Sequence, residues 1–71
     1  MAHGIHDLPP KMAAQFTERA RRGEGRHIGL NMYEFIQGNI RITLVSLDPP
    51  IGYQEKITQA EADRLRAKIN Q

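Results

Sequence analysis

The chain has 71 residues, enough for one small domain, and a chain this short buries only about 60% of its unfolded surface, so its core is expected to be thin. It has no cysteine, which excludes a disulfide framework, a thiolate zinc site and a cysteine nucleophile. Ten Lys/Arg against eight Asp/Glu leave a net charge of +2, a balance that permits contact with nucleic acid without demanding it.

Residues 1–8 read as a flexible arm. They hold neither a basic patch nor an apolar run, so they do not resemble a signal peptide. No apolar stretch approaches the ~20 residues that span a bilayer, and a small domain without disulfides points to the cytoplasm. Asp7 is a candidate cap for a helix over Pro9–Arg22, with Pro9 and Pro10 in the first turn, where a missing N–H costs little. Pro9, Met12, Ala13, Phe16 and Ala20 recur at steps of three and four and form its inner stripe. Lys11, Gln15, Glu18 and Arg22 take the opposite side, and Gly23 and Gly25 stop the helix.

Residues 27–37 admit two readings. Ile28, Leu30 and Met32 alternate with polar or small residues, which suits a strand. Asn31 followed by Glu34 suits the start of a short helix over Met32–Gln37. Gly38-Asn39 reads as a type II′ hairpin turn. If it is one, Phe35 faces Ile42, Tyr33 faces Leu44, Met32 meets Val45 and Leu30 meets Leu47. Ile40–Leu47 is the clearest strand, with Leu44 expected in the core. Asp48–Gly52 is a turn, and Tyr53–Ile57 is a short return strand. Thr58-Gln59-Ala60-Glu61 is a capping box that opens a last helix, whose inner stripe is Ala62, Leu65 and Ile69. The expected fold class is α+β: an N-terminal helix, a small antiparallel sheet of two or three strands and a C-terminal helix, all within one domain over residues 9–71.

No constellation for chemistry stands out. Ser46 lies in no nucleophile pattern, and the glycines form no phosphate loop. His3, His6, Asp7 and His27 are the only candidates for a metal, and no functional metal site, cofactor or small-molecule substrate is expected from them. The basic segment Arg19, Arg21, Arg22, Arg26 and His27 is the most functional-looking feature, because arginine forks grip phosphates and carboxylates. Arg64, Arg66 and Lys68 on the last helix are further candidates for partner binding. Arg22 and Arg26 are expected to serve binding rather than folding, since neither position promises a buried partner. Tyr33, Phe35 and Tyr53 are expected in the core.

A chain of this size without chemistry suggests a non-enzymatic regulator or adaptor. It would dock on a larger protein or nucleoprotein complex, as small phage- or plasmid-type regulators of transcription machinery do. Two alternatives stand beside this: a nucleic-acid-binding module that uses residues 19–27, and a structural subunit of an oligomer. No membrane partner is expected.

Overall fold

The computed structural model describes residues 5–70. In chain order these form β1 (Ile5–Asp7), α1 (Pro10–Arg21), β2 (Arg26–His27), β3 (Met32–Gln37), β4 (Ile40–Val45), β5 (Ile51–Lys56) and α2 (Gln59–Ile69). All five strands join one antiparallel sheet in the order β1-β5-β4-β3-β2. The molecule is therefore α+β, with a wider sheet than the expected two or three strands. The two unforeseen strands have three and two residues. Alternation cannot announce a strand that short.

The β3–β4 hairpin is built as its residues suggest. Gly38 has φ of +59°, the left-handed value that a type II′ turn requires at its first central position. The turn sets the register: Phe35 opposite Ile42, Tyr33 opposite Leu44, Met32 opposite Val45. The short helix over Met32–Gln37 is not formed. Leu30 does not pair with Leu47, because the strand begins only at Met32 and Leu30 stands 90% exposed in the preceding loop.

β1 and β2 lie at opposite edges of the sheet, so the chain between them must cross it. α1 makes that crossing. Its 12 residues rise about 18 Å, which matches four inter-strand steps of about 4.8 Å. Its stripe of Ala13 and Phe16 buries against Phe35, Ile42 and Leu44, with Leu8 closing one side. Thr17 is also buried under α1, and its hydroxyl donates to the Ala13 carbonyl at 2.7 Å, so that hydroxyl is not left unpaired. Leu44 and Ile42 are the largest side chains fully out of water, as expected for Leu44.

The entrance to α1 differs from expectation. Residues 5–8, expected in a loose arm, are part of the sheet and core: Ile5–Asp7 pair with β5, and Leu8 is buried, its N–H donating to the Gly52 carbonyl at 2.9 Å. Residues 1–4 lie outside the described residues. Asp7 does not cap the helix. It sits in β1, and Pro9 occupies the cap position without a side-chain bond. At the other end Gly23 and Gly25 turn the chain with positive φ, as their place after the helix suggests.

α2 packs along β3 and buries Ala62 and Leu65, with Ile69 partly covered. The Thr58 hydroxyl accepts the Glu61 N–H at 3.1 Å, one half of the expected capping box. Arg66 donates to the Gly38 carbonyl at 2.8 Å and so ties the helix to the β3–β4 turn. None of the helices is long and apolar enough to cross a membrane among the described residues.

Candidate functional site

The basic segment folds back on the molecule's own carboxylates. Arg19 and Arg22 both reach Glu24, at 2.8 and 3.3 Å, where the loop after α1 turns back over the helix end. The hydrogen bond from Arg19, with the charges of Arg19 and Arg22, holds the Glu24 carboxyl below its ordinary value. The Arg19 guanidinium also lies over the Phe16 and Phe35 rings, 4.9 and 5.2 Å from their centres. Arg21 pairs with Glu18 one turn back at 2.8 Å.

Arg26 belongs to a different structure. In β2 it stands opposite Glu34 of β3, and the two pair at 3.3 Å. Glu34 is buried and also lies 3.9 Å from Arg41 of β4, which in turn pairs with Glu55, directly opposite on β5. The result is a row of alternating charge, Arg26–Glu34–Arg41–Glu55, across four strands on the sheet face turned away from α1. Burial alone would lower the Arg41 pKa, but the hydrogen bond with Glu55 and the charges of Glu55 and Glu34 outweigh it, and the guanidinium is held above its ordinary value. The expectation that Arg26 has no buried partner is therefore corrected: Glu34 is that partner. Only β2, the strand that the sequence does not announce, puts the two side by side.

The other predicted binding residues are dispersed. The His27 ring stacks on Tyr33 with centres 4.7 Å apart, and its Nε2 lies 3.1 Å from the Leu30 carbonyl. Arg64 pairs with Glu61 at 3.6 Å and Arg66 with Asp63 at 3.2 Å, each one turn apart on α2. Lys68 is exposed. Arg19 and Arg66 do share a cleft of about 420 Å³ between the C-terminal ends of the two helices, together with Glu24 and Phe35. Among the described residues all seven arginines stand in ion pairs.

Six of the eight carboxylates are engaged in the same way. Asp7 and Asp48 are the two that form no ion pair among the described residues. Both lie at the end of the sheet opposite the Gly38 turn. The loops 28–31 and 46–50 leave the sheet there, joined by a 2.7 Å bond from the Ser46 N–H to the Asn31 carbonyl. This end also collects exposed apolar side chains: Ile28, Leu30, Leu47 and Ile51. Beside them is a cleft of about 650 Å³ lined by Asp7, Leu8, Pro10, Pro50, Ile51 and Tyr53. Tyr53, expected in the core, is 39% exposed; Phe35 is buried and Tyr33 half-buried.

The metal reading meets the topology. His6 is in β1 and His27 in β2, at opposite edges of the sheet, so they cannot share an ion. His3 lies outside the described residues. No three His, Cys, Asp or Glu side chains come together as a metal group would among the described residues. Sequence reasoning missed the apolar end. The signals present were Ile51 beside two prolines, and Leu30 and Leu47 next to strand ends. The chain was compared with protein-family models, with curated proteins and with solved structures, and no match was found.

Proposed function

We propose that this is a small non-enzymatic binding protein that acts by docking on a larger protein or nucleoprotein assembly, as regulators of transcription machinery do. The observation that carries the reading is the apolar end of the sheet. Leu30 stands 90% exposed, with Ile28, Leu47 and Ile51 near it, in a chain that has few large apolar side chains for its core. Exposed apolar groups collected in one place, beside a cleft, are what a protein interface uses. The arginines make a poorer anchor set, because each already holds a carboxylate of this chain and would have to give it up.

The test is affinity capture from a lysate of the source cells, with and without nuclease. A partner that survives nuclease and is lost with Leu30→Asp plus Leu47→Asp supports docking through this end. A captured partner that disappears with nuclease supports the second reading, direct nucleic-acid binding. That reading draws on the exposed His27 ring stacked against Tyr33, a platform on which a base could stack.

A further inference from the structure

We infer that the cleft between β1, the start of α1 and the 46–50 loop receives an apolar segment of a partner protein that carries a lysine or arginine next to its apolar side chains. This rests on the reading that the apolar end docks on protein, and it adds which part of that end binds and what it selects. The walls are apolar: Leu8 and Pro10 from the β1–α1 junction, Pro50 and Ile51 from the loop and β5. Tyr53 also lines the cleft, held opposite Asp7 by the β1–β5 register.

The charge balance decides the kind of occupant. Asp7 lines this cleft, and Asp48 stands exposed in the loop that forms its wall. No arginine of the chain remains to neutralise them, since all seven are paired elsewhere. Lys11 follows Pro10 in sequence but is exposed and forms no ion pair with either carboxylate among the described residues. A neutral or acidic occupant would strip water from Asp7 and return nothing. An apolar occupant with an adjacent cation covers Ile51 and Tyr53 and supplies the missing partner for the carboxylate.

The test is an amide NMR titration of the whole chain with three synthetic peptides of equal length: alternating leucine and lysine, alternating leucine and glutamate, and alternating serine and lysine. The leucine–lysine peptide should shift the amides of Leu8, Ile51, Gly52 and Tyr53 and bind at least about tenfold more tightly than either of the others, a difference of ~1.4 kcal/mol. Asp7→Asn with Asp48→Asn, both at exposed positions, should reduce its advantage over leucine–glutamate to about twofold. Equal binding of the two leucine peptides, or shifts centred on Arg19–His27, would overturn the inference. The two readings fail separately. If a captured partner is lost with Leu30→Asp plus Leu47→Asp but keeps its affinity for the paired asparagine variant, docking stands and the cleft assignment falls. If the peptides discriminate as expected but no protein is captured, the cleft's selectivity for an apolar segment with a cation stands, and the reading that it serves docking on a protein falls.

Discussion

The two edges of this sheet treat charge in opposite ways. At the β2–β3 edge and the end of α1, every arginine faces a carboxylate: Arg19 and Arg22 share Glu24, and Arg26 meets Glu34. At the β1–β5 edge, Asp7 lines an apolar cleft and forms no ion pair among the described residues, and the 46–50 loop and the start of β5 expose Leu47 and Ile51. A run of basic residues draws attention in a sequence, yet here its charge is spent on holding a loop and a row of strands. The surface left incomplete is the apolar one. The difference teaches that a charged group's role depends on what stands opposite it in the register, and that an interface is better sought where groups lack partners.

The largest effect should come from the core that both edges share. Leu44 is fully buried against α1, so Leu44→Ala should cost ~2–5 kcal/mol in urea denaturation and loosen both edges together. A small domain of this length has roughly 4–10 kcal/mol in all, so the variant sits near the limit of folding. An unchanged midpoint would refute the assignment of β4's inner face.

Glu34→Ala sharpens the comparison at the charged edge. It removes the buried carboxylate between Arg26 and Arg41 and leaves both cations without it. Removing one member of a fully buried pair costs ~3–5 kcal/mol, but Arg26 and Arg41 keep 40% and 31% of their side chains in water, so a loss of ~1–3 kcal/mol is expected. Asp7→Ala, at the other edge, should change stability by less than ~0.5 kcal/mol. Equal losses from the two variants would erase the distinction between the edges.

The smallest effect concerns pH. The folded Glu24 carboxyl has a pKa below the ordinary 4.5, so its contribution to stability is present above pH 4.5 and is lost as pH falls through the lower folded value. Acidification should therefore free the 22–25 loop before the strands separate, visible as lower protection factors, relative to the intrinsic exchange rate at each pH, for the amides of Gly23 and Glu24, which donate to the Ala20 and Arg19 carbonyls. In Glu24→Gln that acid-dependent step should be missing. Its persistence would mean that other groups hold the loop.

Much of the fold was legible because its signals are local. The Gly38-Asn39 turn and the alternation of Ile40, Ile42 and Leu44 suffice for the β3–β4 register, and the stripe of Ala13 and Phe16 marks the buried side of α1. The edges were not legible. β1 and β2 are too short for a period to show, and Asp7 before two prolines looks like a helix cap when it is a strand end. The charged row was half visible: the hairpin register puts Glu34 and Arg41 on the same face, but Arg26 joins them only through β2. The cleft draws on residues near 8, 50 and 53, which no spacing rule connects.

The central claim is that the arginines serve the fold while the apolar end serves binding. The measurement that tests it most directly compares two double variants for affinity toward the captured partner and for urea midpoint. Leu30→Asp with Leu47→Asp should lose more than about tenfold in affinity, equivalent to ~1.4 kcal/mol, with its midpoint nearly unchanged. Arg22→Glu with Arg26→Glu should bind within about twofold of the unaltered protein at matched folded fraction, and should be the less stable of the two because Glu34 then faces a like charge. The opposite pattern, affinity lost with the arginines and kept without the leucines, would contradict the account.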